Sequence, residues 1–439
     1  VFFQNDQRLI GVRARDGRIR KAFPMMGYQD TGLNQAVQVF GQQPPTTTSG
    51  PKTQAESQLF FASLEQSVLW QDDVVYMVER PGPEAMPPPP RQVQRFGFAR
   101  PMMSLSRHRL NRLVAYGANP RKETKERWAF QPENGGCIIS EPIPFRDSIV
   151  VAVLEQNQVD LIAFDQEGKE RWRSYLCEEQ LGSVEQYAEV VLAVADDDIY
   201  ALSGDGVVGA FEGSTGNLHW VLQHARSVTR KNAMRSTVVE INGWKKNHLL
   251  VAGPNLVVAP SDMEYLFALD RRTGMVRWRQ FMDYNDDETT PYPLGIVSDR
   301  LYTASNRTLR MLLVETGRMV KVRPQRPSDK LDDDFDGFFE SYGRGALTVN
   351  EILIPNNNEV LRFDLDLNLV DRTALTDDDS IPLGNLFSDG ERLYHVGLRT
   401  VQAYKPDPER IKAAAEKKKA AEETPEDDSE NDEEEEQAK

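Results

Sequence analysis

The chain has 439 residues, of which 39% are apolar and 9% aromatic, a formal charge of −16 and two cysteines. That is enough apolar matter for a packed core, while the absence of any apolar run of about eighteen residues excludes a membrane-spanning helix. The charge excludes nucleic acid as a partner, since phosphate contacts need clustered Lys and Arg. Residues 422–439 alone hold eleven acids and one lysine, a local −10, which leaves −6 for the remainder.

In chain order, Phe2–Gln4, Leu9–Ala14 and Ile19–Phe23 read as three short strands, the last two joined at Asp16-Gly17. This is a repeating unit entered part-way. Residues 24–58 lose the pattern to Gln, Thr, Pro and Gly and read as an insert. A second unit follows, with a hairpin VLWQDDVVYMVER about Asp72-Asp73. A proline-rich insert, 81–107, interrupts it, because PPPP favours polyproline II and cannot join a central strand. The unit ends in ERWAF at Trp128.

Three clearer units, 137–178, 184–226 and 236–282, share one figure: an apolar strand, an acid, a turn glycine, and a tryptophan four residues later. The copies are AFDQEGKERW (Gly168, Trp172), AFEGSTGNLHW (Gly216, Trp220) and ALDRRTGMVRW (Gly274, Trp278). A sixth unit keeps Thr316-Gly317 but has Lys321 in place of tryptophan. A seventh, 344–375, has lost the tryptophan as well, and the last supplies three strands. Self-similarity at a fixed period means stacked supersecondary units, since one unit cannot bury its own apolar face. With the inserts removed, each unit is roughly 42 residues, the size of a four-stranded propeller blade. The expected fold is therefore all-β, an eight-bladed propeller over 1–405, with seven blades as the other count. Residues 406–439 are Ala/Lys/Glu-rich and helix-prone, then acidic and self-repelling, and form a tail.

The AFDQEGKERW and ALDRRTGMVRW segments resemble the PQQ-like repeat of bacterial propellers. That superfamily includes quinoprotein alcohol dehydrogenases and the propeller lipoprotein of the outer-membrane barrel-assembly machinery. The resemblance implies that Trp128, Trp172, Trp220 and Trp278 lie on outer strands and dock against the neighbouring blade. It also implies a periplasmic or cell-envelope setting and protein partners reached through a propeller face or the inserts. The family's dehydrogenases carry an adjacent cysteine pair beside the quinone; this sequence has no Cys-Cys and no Cys-x-x-Cys-His. Bound PQQ is therefore not expected. A non-enzymatic scaffold is the primary reading, with a diverged PQQ/calcium-dependent oxidoreductase second and the sensor propeller of a longer membrane-anchored or kinase-fused chain third.

Asp332, Asp334, Asp336, Gly337 and Glu340 follow a calcium-loop spacing, D-x-D-x-D-G-x-x-E, in which alternate acids converge on a hard cation. The competing reading is an exposed acidic loop. The five histidines show no metal-ligand spacing, and no G-x-S-x-G elbow occurs. Gly343-Arg344-Gly345 reads as a pair of turn glycines. Cys137 and Cys177 fall in different strands of one unit, as a disulfide or as two free thiols.

Overall fold

The computed structural model describes residues 2–4, 8–12, 19–24, 68–79, 111–117, 125–133, 136–178, 190–204, 206–224, 248–260, 265–282, 291–325, 341, 343–356, 359–374, 384–388, 392–396 and 401–404. Among these residues there is no helix, and the strands form eight antiparallel sheets that follow one another along the chain. Apart from a split inner strand in the third sheet, consecutive strands are neighbours within each sheet, so every unit is a meander. The innermost strands of successive sheets touch in series from the first sheet to the last. The fold is an all-β propeller.

The core lies between sheets, because the middle strands are buried on both faces. In Ser148–Glu155, Ile149, Val151 and Val153 pack toward the second sheet, while Val150, Ala152 and Leu154 pack toward the fourth. A strand puts successive side chains on opposite faces, so an uninterrupted apolar run serves two neighbours at once. The same two-sided packing recurs between the fourth and fifth, fifth and sixth, and sixth and seventh sheets.

A β-bulge marks the junction of third and fourth strands in the second to seventh sheets. Trp172 lies opposite Ala163 and Glu170 opposite Phe164, which leaves Arg171 without an opposing residue. The equivalent extra residues are Arg127, His219, Arg277, Val320 and Val370. The first sheet has its bulge between Arg8–Val12 and Ile19–Pro24, which identifies its three strands as the second to fourth of a unit. The last sheet has three strands, Asn385–Ser388, Leu393–Val396 and Val401–Tyr404.

The third sheet departs from the simple pattern, for its inner strand is split in two. Cys137–Ile138 pairs with Val153 and Leu154, and Ile143–Phe145 pairs with residues 148–150. Pro142 in the gap has no N–H for the ladder, and the Ala152 N–H donates instead to Ser140 Oγ at 2.7 Å. Cys137 sits opposite Leu154, Leu154 opposite Val159, and Val159 opposite Cys177. Three strand spacings separate the thiols by roughly 14 Å, too far for a disulfide. Neither cysteine forms a disulfide.

Candidate functional site

Antiparallel order gives the propeller two unlike faces. One carries the hairpins between first and second strands and those between third and fourth. The other carries everything else. All seven inter-strand gaps of ten residues or more, from the one after Pro24 to the one before Asn385, begin and end on that second face. The first is a turn face, the second a connection face.

The turn face is closed by short turns and inter-sheet ion pairs. Positive φ at Asp72 (47°) and Asp73 (60°) allows a two-residue hairpin whose twist matches its strands. Arg146 of the third sheet pairs with Asp197 of the fourth, and Asp196 of the fourth with Arg271 of the fifth. Arg300 of the sixth reaches Asp366 of the seventh at 2.6 Å. Asp270 anchors its own turn: its carboxylate accepts from Arg272 N, Thr273 N, Thr273 Oγ1 and Arg277. The Arg277 guanidinium holds that carboxyl well below its ordinary range, at about 2.

The four tryptophans lie just under this face, at the joints between sheets. Trp128 donates its indole N–H to Gln166 O (2.9 Å), Trp172 to Gly213 O (3.0 Å), Trp220 to Arg271 O (2.9 Å) and Trp278 to Val314 O (2.8 Å). Each acceptor belongs to the following sheet's third-to-fourth turn. Each ring lies against that turn's glycine: a Cβ on Gly274 would come within 2.6 Å of the Trp220 ring, and Gly168, Gly216 and Gly317 are equally close to Trp128, Trp172 and Trp278. Their φ values, 70° to 84°, are themselves glycine territory. An alanine (Ala115, Ala163, Ala210 or Ala268) sits opposite each tryptophan and leaves room for its ring.

The sixth and seventh sheets meet differently. Lys321 lies opposite Met311, and its ammonium donates to Asp366 O (2.5 Å) and Asn368 Oδ1 (3.0 Å). The Tyr302 hydroxyl donates to Leu365 O at 2.8 Å, the carbonyl that matches Gln166 O in the repeat. A phenol and an ammonium thus take the place of one indole.

On the connection face, the stems of the long segments are pinned by buried polar groups. Glu79, fully buried where the 80–110 segment leaves, pairs with Arg112 where that segment returns, and accepts from Tyr116 Oη at 3.0 Å. Burial pushes the Glu79 carboxyl up, against the pull of Arg112, and burial also raises the Tyr116 phenol. Next to them, Asn111 and Ile138 exchange two hydrogen bonds, Nδ2 to O (2.8 Å) and N to Oδ1 (2.7 Å), which ties the second sheet to the third.

A second cluster joins the inner strands of the sixth, seventh and eighth sheets. The hydroxyl of Tyr292, where the sixth begins, accepts from Gly345 N at 3.0 Å. Arg344 N donates to Asn385 Oδ1, and Leu386 N donates to Arg344 O, both at 2.8 Å. Both glycines flanking Arg344 are forced by crowding: a Cβ on Gly343 would strike the Gly384 backbone, and one on Gly345 would lie 2.5 Å from Ile354 Cδ1. The Arg344 guanidinium stands 5.6 Å from the Tyr292 ring centre and donates to Pro293 O at 3.1 Å. Glu141, in the split inner strand of the third sheet, acts on it electrostatically. Third and seventh sheets are not neighbours, so the two side chains face each other across the axis of the propeller.

Asp332, Asp334, Asp336 and Glu340 lie outside the described residues. Among the described residues, no three His, Cys, Asp or Glu side chains gather as metal ligands would, and no helix is long and apolar enough to cross a membrane. His219 is exposed and meets Asp198 at 3.1 Å; His224 is buried, edge-on to Phe267. Glu79, Arg112, Asn111, Tyr302 and Arg344 were not among the residues that sequence reasoning singled out for a role, and only Arg344 carried a local signal, its bracketing glycines.

A family model described as outer membrane protein assembly factor BamB matches residues 111–365, more than half of the chain. Among solved structures, BamB from Moraxella catarrhalis is 16% identical with a TM-score of 0.40, covering 67% of this chain and 91% of that one. The computationally designed Ika8 protein is 11% identical with a TM-score of 0.51, covering 92% and 95%. A europium-containing methanol dehydrogenase is 12% identical with a TM-score of 0.49, covering 90% and 79%. The Ika8 likeness shows the fold alone, and the other two are too loose to carry an argument. No curated protein matches the sequence.

Proposed function

The chain belongs to the family of the outer membrane protein assembly factor BamB, and from that premise we propose that it is a non-enzymatic scaffold of the bacterial cell envelope, holding protein partners on its connection face. One observation carries the reading: every long segment leaves from that face, and the stems at Glu79–Arg112 and Asn111–Ile138 are fastened to the core. Binding residues concentrate on loops held by a rigid frame. The opposite face offers short turns, exposed ion pairs and scattered apolar side chains such as Met275 and Val349, with no long segment.

The test compares the two propeller faces at one sheet. A photo-crosslinking amino acid at Gln158 stands on the connection face, and one at Glu167 on the turn face of the same sheet; both side chains are exposed. Irradiation of envelope preparations is expected to give discrete protein adducts from Gln158 and none from Glu167. Adducts from Glu167 alone, or equally from both, would remove the reading.

A further inference from the structure

We propose that Arg344 is an anchor for a single carboxylate, carried on an aspartate or glutamate side chain of a bound polypeptide and inserted into the axial mouth of the connection face. The inference rests on the scaffold reading above and names the chemistry of its contact.

Arg344 is presented, not merely present. Two glycines that tolerate no Cβ fix the backbone, Asn385 and Leu386 hold its N–H and C=O, and Tyr292 and Pro293 orient the guanidinium. Yet no carboxylate lies within ion-pair distance among the described residues. Arg112, by contrast, has Glu79 and Glu126. Burial also draws the Arg344 guanidinium below its usual pKa, the mark of a cation without enough compensation. A half-buried charge that has lost water, and that Glu141 balances only from beyond ion-pair distance, is costly, and an incoming carboxylate relieves that cost. Its planar fork takes two carboxylate oxygens at once, and the Tyr292 ring covers one side of it.

The probe is a fluorescein-labelled hexaglutamate peptide, titrated by anisotropy against the full chain at low salt, with hexaglutamine as the neutral control. Hexaglutamate is expected to bind saturably and hexaglutamine not at all. Arg344→Ala should weaken binding at least tenfold, Arg344→Lys should fall between, and Arg318→Ala, an exposed arginine on the turn face, should change nothing. Arg344→Met should fold with an unchanged or higher Tm, because it removes an uncompensated charge. Equal binding by Arg344→Ala or by hexaglutamine overturns the proposal. So does a lowered Tm for Arg344→Met, which would make the arginine a structural brace. Displacement of the peptide by glutarate at equal carboxylate concentration would move the site to free dicarboxylates and overturn it too. Arg344-dependent binding without face-specific adducts at Gln158 would support the anchor and remove only the scaffold reading.

Discussion

Gly274 and Trp220 show what the repeat is for. The glycine and tryptophan of one copy, AFEGSTGNLHW, never meet; Trp220 closes on the glycine of the next copy, as Trp172 closes on Gly216. Gly274→Ala adds a methyl group where the Trp220 ring already stands and imposes a positive φ on a residue that resists it. The expected loss is about 2–4 kcal/mol in chemical denaturation. Trp220→Phe keeps most of the ring but strands the Arg271 carbonyl, for about 1–3 kcal/mol. Asp270, in the same turn, adds a pH dependence. Its folded pKa is depressed, so the stability it contributes is present above its unfolded value of 3.8 and is lost as pH falls toward about 2. Wild type and Asp270→Asn should therefore differ in Tm at pH 6 and converge between pH 4 and pH 2; a constant difference would count against the turn ion pair.

Elements explain which features could be read from the chain alone. Strand positions and the Asp72-Asp73 hairpin were legible because they depend on local rules, alternation and turn chemistry. The loss of tryptophan at Lys321 was visible as a gap in the pattern. Its replacement was not: Tyr302 stands on a different strand, and only sheet packing brings its hydroxyl to Leu365 O. Tyr302→Phe is expected to cost about 1–2 kcal/mol, measured by urea unfolding, because the Leu365 carbonyl loses its donor. The Glu79–Arg112 stem was hidden for a similar reason. More than thirty residues separate its partners, and no periodicity links an acid at the end of one strand to a base at the start of the next. The split inner strand at Pro142 was not read from the sequence, for it depends on Ser140 Oγ taking over a ladder bond from the neighbouring strand.

At the scale of the molecule, one-sidedness follows from an even number of strands per unit: a chain that goes out and back twice returns to the face it left. Insertions between units therefore accumulate on that face, and the axis concentrates side chains from sheets far apart in sequence. Gly343-Arg344-Gly345 could be read only as turn glycines, because the meaning of Arg344 depends on the wheel that surrounds it. The acids at Asp332, Asp334, Asp336 and Glu340 belong to one of the same long connections. The connection face, the axial arginine and the rigid frame all presuppose that the sheets close around an axis.

Dipolar spectroscopy between spin labels on Asp147→Cys and Val349→Cys, in a background with Cys137→Ala and Cys177→Ala, tests that closure. The two sites are exposed turns of the third and seventh sheets. Sheets laid in an open row at the usual spacing of about 10 Å would place them roughly 40 Å apart. A closed wheel predicts one narrow distance well below that figure, whereas a broad distribution, or one centred at or beyond it, would contradict the account.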